Sequence, residues 1–423
     1  MNFTVRDFLY AKTTYGLHTA FDGVCNEILD VIRNRDVRPL YDALIIDEAQ
    51  DLPASFFKIV YNFVTDEKRI IWAYDELQNL SYYSMPPVEE LFGKNSDGQP
   101  NVRLSNNNGE PRQDIILPIC YRNTPWALTI AHALGFGTNR EDGLAQLFDD
   151  DSIWNEIGYT CIEGDSFTPN KKVVLKRRTN SYPVYFNELL SPEDSIECYC
   201  FSSFYEEAEW IADQIFKNLN DEDLDHDDIL IILPDEITAK NKANIIEKAL
   251  EKQGIESHLV GVTNSADEVF RPRSVAIANI YRAKGNEAPV VYVANSDHCY
   301  RGFHLSKLRN TLFTAITRSR AWVRLTGSGD DMKKIEKEFK KVQNDKYTLN
   351  FILPNKEERR KLHTIHRERT DAEKNELKQL ERALTKLTSL SDKDDIDPSI
   401  FSIDTIKALE RFLKKNKIYT EDV

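Results

Sequence analysis

Ala43-Leu44-Ile45-Ile46 runs without a break into Asp47-Glu48-Ala49-Gln50-Asp51. An apolar run of this kind reads as a strand buried on both faces, the habit of parallel sheets. The turn at the carboxyl end of such a strand lines the crevice where α/β sheets take ligands. Two adjacent carboxylates placed there suit nucleotide hydrolysis. The first can hold Mg²⁺ through water, and the second can orient or deprotonate the attacking water. An acidic loop or a helix N-terminus would carry the same letters for structural reasons alone. The rest of the chain has to decide.

Strands and helices alternate along most of it. Phe21–Ile32 has the spacing of a helix, followed by the strand at 43–46, a helical segment over Pro53–Val64 and a second apolar strand at Arg69–Tyr74. Residues 84–112 are rich in Pro, Gly and Asn and read as loop; Ile115-Ile116-Leu117 reads as a short strand and Trp126–Leu134 as a helix. A fresh α/β pattern begins at Ile196. It comprises strands at Ile196–Phe201, Ile229–Leu233, Ser274–Ile280, Val290–Asn295 and Ala321–Thr326, with helices at Phe204–Leu219, Ala239–Gln253 and Leu308–Ser319. Gly254 is the expected stop for the second of these helices. The expected fold class is therefore α/β, with parallel sheets wound by helices. Four regions follow: 1–135 with the first sheet, 136–195 as a linker or insertion, 196–330 with the second sheet, and 331–423 as a charged helical tail. Within that tail a linker is expected at Ser389–Pro398 and a last helix at Ile403–Lys415.

Charge and cysteine usage narrow the class. The net charge of −14 argues against a general polyanion-binding surface but leaves room for a local basic groove. Residues 331–423 are net +3, so residues 1–330 carry −17. The six cysteines show no CxxC spacing, which points to neither a zinc ribbon nor a disulfide framework. Cys198 and Cys200 alternate along one strand and are expected on one face, in a core. The sequence has no signal peptide and no apolar run of membrane-spanning length, so the expected compartment is the cytoplasm.

Five segments, in order, resemble the motifs of UvrD/Rep-like superfamily 1 DNA helicases. Leu44–Asp51 is similar to motif II, and Trp72-Ala73-Tyr74-Asp75-Glu76-Leu77-Gln78-Asn79 to motif III. Tyr121-Arg122-Asn123 resembles the core of motif IV, with Cys120 where the family usually has Asn. Asn279–Glu287 resembles motif V, with Tyr281 and Asn286 in place of the commoner His and Leu. Leu312–Arg320 resembles motif VI. The resemblance implies two RecA-like parallel-sheet domains, ATP and Mg²⁺ as cofactors, and single-stranded DNA as partner. It implies that Asp47 supports the metal, Glu48 is the catalytic base and Gln78 contacts the γ-phosphate or the lytic water. It further implies that Arg122 and Arg318 are arginine fingers, that Glu287 bonds the ribose, and that Lys284-Gly285 approach the nucleic acid. Two guanidinium groups suit charge build-up on a transferred phosphoryl group, being permanently charged and planar. For Trp72, Tyr74 and Trp126 a core position is expected rather than base stacking.

One element of the family is not among these residues. No GxxxxGK[ST] loop, which cradles the β- and γ-phosphates, occurs in the 423 residues. Tyr10-Ala11-Lys12-Thr13-Thr14 lacks both the preceding glycine and a preceding apolar strand. The first RecA-like domain is therefore expected to be incomplete at its N-terminal side, with apolar edges to cover. Two readings follow. One is a helicase or translocase module whose phosphate loop is supplied by a protein partner or an additional N-terminal segment, the isolated chain being inactive. The other is a non-catalytic helicase-like subunit that scaffolds a DNA repair or phage-defence assembly.

Overall fold

The computed structural model describes residues 5–33, 35, 37–81, 85–104, 111, 113–148, 151–163, 167–262, 268–360 and 362–365. The expectations for the stretches 389–398 and 403–415 lie outside them.

The first sheet has two parallel strands, β1 (Tyr41–Ile46) and β2 (Val64–Trp72), joined by the helix Ala54–Phe63. Ile46 of β1 is buried with Phe57 and Val60 of that helix and with Leu91 and Phe92 beyond β2. Trp72 stacks edge-on against Phe92 at 5.3 Å, as its core assignment requires. Tyr74 departs from that expectation: it lies just past the strand and is 38% exposed.

The stretch 136–195, expected as a linker or insertion, holds strands of its own. These are β3 (Gln146–Phe148), β4 (Tyr159–Glu163) and β5 (Lys172–Arg177). The second parallel sheet then forms from β6 (Ile196–Phe201), β7 (Ile229–Leu233), β8 (Ser257–Leu259), β9 (Val275–Asn279), β10 (Ala288–Val293) and β11 (Ser319–Ser328). Their spatial order is β6-β11-β10-β7-β9-β8. Helices cover both faces, as continuous apolar strands demand. Leu230 and Ile232 of β7 face the helices Pro125–Phe136 and Leu305–Ile316, whereas Ile229, Ile231 and Leu233 face Phe204–Asn220 and Ala239–Lys252. Gly254 closes the last of these helices at φ +71°, a left-handed conformation that glycine adopts without a Cβ clash. The helix Pro125–Phe136, which follows the Tyr121-Arg122-Asn123 segment, packs in this second core rather than on β1 and β2.

Two sequence expectations need correction. Ile115–Leu117 forms no strand. Ile115 and Leu117 are 64% and 82% exposed, and Pro118, which lacks an N–H, follows at once. The tail from 331 is not all helix either. The helix Gly329–Asn344 ends, Lys346 and Tyr347 take positive φ, and β12 (Thr348–Ile352) pairs antiparallel with β5. Leu349 and Phe351 alternate into the core, the period of two of a strand. β13 (His363–Ile365) pairs with β3. Cys198 and Cys200 are half-buried against the second core. Among the described residues no helix is long and apolar enough to cross a membrane.

Candidate nucleotide site

The site is built where the ends of β1 and β2 meet the second sheet. The Ala73 N–H donates to the Ile46 carbonyl (2.9 Å) and the Ala49 N–H to the Ala73 carbonyl (2.9 Å), so both strands finish together. Between them Glu48 adopts φ 50°, ψ 41° before a short 3₁₀ turn, Ala49–Asp51. A left-handed residue other than glycine costs about 1–2 kcal/mol. The turn is held by Gln50, which is buried: its Nε2 donates to Glu48 Oε2 (2.6 Å) and its Oε1 accepts from the Asp75 N–H (3.1 Å). Asp47 is exposed, and one of its carboxylate oxygens accepts from the Glu48 N–H at 2.9 Å.

Gln78 leaves a second 3₁₀ turn, Glu76–Gln78, with Nε2 donating to Asp75 Oδ2 at 2.8 Å. Asn310 fastens this turn to the second core. Its Nδ2 donates to the carbonyls of Glu76 and Asn79 (3.1 Å each), and its Oδ1 accepts from Gln146 (2.7 Å). Burial pushes the Asp75 carboxyl up and lifts Glu76 to about 7.

That shift has a sign. Between the ordinary value of 4.5 and about 7, the folded chain holds the Glu76 proton that the unfolded chain has lost. The stability tied to it is full below pH 4.5 and falls as pH rises through that window. Urea unfolding at pH 5 and pH 8 checks this. The wild type should lose about 2 kcal/mol more over the interval than Glu76→Gln, which keeps the shape and cannot titrate. An equal pH dependence in both would show that Glu76 is not the group responsible.

Arg318 enters from the second sheet. It is 1% exposed, its Nε donates to the Thr314 carbonyl (3.2 Å), and its Nη2 donates to Gln78 Oε1. Burial first, then the neighbouring Arg122, lowers its pKa to about 10, so it remains a cation at neutral pH. Asn123 fixes the backbone on either side of it, donating to the carbonyls of Thr317 (3.0 Å) and Ser319 (2.7 Å). Arg122 pairs with Glu287, each side chain about 40% exposed, on the rim of a cavity of about 650 Å³. Tyr121, Tyr185, Phe186 and Trp322 are among its walls.

Lys284 does not point to an open surface. Its ammonium lies 2.6 Å from Asp51 Oδ2 and 3.2 Å from Glu48 Oε2, and it donates to the Gln78 carbonyl at 3.0 Å. Burial raises the Asp51 pKa, and Lys284 opposes that shift. Gly285, at φ +83°, has open space where a Cβ would project. The structure thus gathers Glu48, Gln78, Lys284 and Arg318 into one network and sets Arg122 with Glu287 beside it. Sequence reasoning missed the positioning amides Gln50, Asn123 and Asn310. The first two were visible inside the motif-like strings; nothing marked Asn310.

Among the described residues no group of three or more His, Cys, Asp or Glu is arranged to hold a metal unaided. A single exposed carboxylate such as Asp47 still fits Mg²⁺, which binds through one or two carboxylates, waters and substrate phosphates.

A doubly covered parallel sheet that sends a buried arginine to the carboxylate end of a second parallel pair is an α/β architecture. Residues 274–326 match the model of the UvrD-like helicase C-terminal domain. A comparison with curated proteins gave no match. Among solved structures, the C-terminal domain of a possible DNA helicase from Lactobacillus plantarum WCFS1 is 14% identical with a TM-score of 0.27, over 51% of this chain and 93% of that one. Arterivirus nonstructural protein 10, a helicase in complex with DNA, is 12% identical with a TM-score of 0.20, over 32% of this chain and 28% of that one.

Proposed function

We propose that the chain is an ATP-dependent DNA helicase or translocase module whose nucleotide binds between Asp47, Glu48 and Gln78 on one side and Arg122, Arg318 and Glu287 on the other. The observation that carries this reading is the buried Arg318 guanidinium joined to Gln78 across the two sheets. A cation held dry beside a carboxylate pair serves charge build-up on a phosphoryl group better than it serves stability. Glu48 accepts the proton of the attacking water, Gln78 orients that water, and Arg318 and Arg122 neutralise the oxygens of the transferred group. Mg²⁺ near Asp47 would supply further charge neutralisation on the phosphates. Glu287 bonds the ribose, and the aromatic cavity beside it accommodates the base. Lys284 must leave Glu48 for Glu48 to act as a base, which makes its movement part of the cycle. Single-stranded DNA would run over the sheets, held by backbone charge and stacking.

The second reading, a non-catalytic scaffold in a DNA repair or phage-defence assembly, is favoured by one observation. Lys284 neutralises Glu48 and Asp51 in the same contact. DNA-stimulated phosphate release separates the two. The 423 residues alone should release little phosphate, and addition of a polypeptide carrying a phosphate-cradling loop should restore turnover. Robust release by the chain alone would contradict the need for that loop, and none in the completed assembly would favour the scaffold.

A further inference from the structure

Gln78 leaves the chain just past β2, yet the turn that carries it is packed in the core of the second sheet. Leu77 and Leu80, on either side of it, are 4% and 2% exposed and belong to the core that holds Ile280, Leu312 and Ala315. The helix Leu305–Ile316 holds Gln78 from two directions. Asn310 donates both hydrogens of its amide to the turn's backbone, one to the Glu76 carbonyl and one to the Asn79 carbonyl. Arg318, just past the end of the same helix, donates to the Gln78 side-chain oxygen. Asn310 cannot turn over in this place. Its Oδ1 accepts from Gln146 of β3, whose Nε2 also donates to the Gly135 carbonyl, and the two amides are 3% and 0% exposed.

We propose that Asn310 is a positioning residue for the hydrolysis proposed above: it sets the backbone of the Gln78 turn, so that the Gln78 amide and the Arg318 guanidinium keep one fixed geometry while the carboxylates of Asp47 and Glu48 close against them. Its effect on turnover rests on that reading; the anchoring of the turn does not. Only a side-chain amide offers two N–H donors to two carbonyls and an acceptor to a third group without bringing in charge. Removing it strands two carbonyls in a buried place, and the turn must open to find other partners. Reacting groups displaced by about 1 Å can lose 10²-fold in rate, so a residue that touches no phosphate still governs the chemistry.

Two measurements test this. The first is hydrogen exchange on the 423 residues alone. The Gln78 and Asn79 N–H groups donate to the Asp75 and Glu76 carbonyls, and in Asn310→Ala their exchange should quicken by about 10-fold or more while that of Ile229–Leu233 stays as in the wild type. If Asn310→Ala disturbs Ile229–Leu233 as well, Asn310→Ser, which leaves a polar group in the pocket, is read in its place. Wild-type exchange over 76–80 would overturn the proposal. The second is a double-mutant cycle on phosphate release by the completed assembly. Asn310→Ala should lower kcat by ~10²-fold with KM for ATP within about threefold, and Asn310→Ala combined with Gln78→Ala should be no slower than Gln78→Ala alone. Losses that add would show that Asn310 does not act through Gln78 and would overturn its positioning role. Quickened exchange with no turnover in the wild-type assembly would uphold the anchoring and count against the nucleotide reading.

Discussion

Arg318→Ala is expected to lower kcat for DNA-stimulated ATP hydrolysis by ~10³-fold or more in the completed assembly, with a much smaller change in nucleotide affinity. The expectation comes from where the guanidinium is held. Its Nε is occupied by the Thr314 carbonyl and its Nη2 by Gln78, and Asn123 clamps the backbone on both sides. The group is thus pre-aimed, and little reorganisation is needed as charge develops on the phosphoryl oxygens. Arg318→Lys should not restore the rate, because an ammonium cannot make both contacts with the geometry of a planar fork. Steady-state phosphate release at saturating ATP, paired with a nucleotide titration, separates kcat from affinity. Unchanged turnover in Arg318→Ala would remove this residue from the site.

Much of this arrangement was legible in the sequence, for a physical reason. The apolar strand Ile229–Leu233 is buried throughout, and the chain's alternation of such runs with amphipathic helices leaves few folds open; the run Ala43–Ile46, expected to be buried on both faces, instead leaves Ile45 76% exposed. The carboxylates of Asp47 and Glu48 could be placed because a strand's end fixes where its next residues lie. Less accessible were features whose partners are distant in the chain. Asn310 looks like any polar residue in a helix until it is found bonding Glu76 and Asn79, more than 200 positions away. β12 was hidden for a similar reason: Leu349 and Phe351 show their period only once β5 lies beside them. Lys284 is the instructive case at the site. The resemblance implied that the backbone at Lys284-Gly285 approaches nucleic acid; what it did not suggest is that the Lys284 ammonium lies on Glu48 and Asp51. No local pattern distinguishes a lysine that reaches a phosphate from one that reaches a carboxylate of another sheet.

In the function proposed above, the carboxylates and the arginines are two sides of one nucleotide site. Glu48→Gln tests this most directly. The left-handed turn, Gln50 and Lys284 all converge on that one carboxylate, and the amide keeps its shape while losing its basicity. Phosphate release by the assembled complex on single-stranded DNA should fall by ~10²-fold or more, the usual scale of a lost general base, with ATP still bound. Turnover that survives Glu48→Gln undiminished would contradict the account.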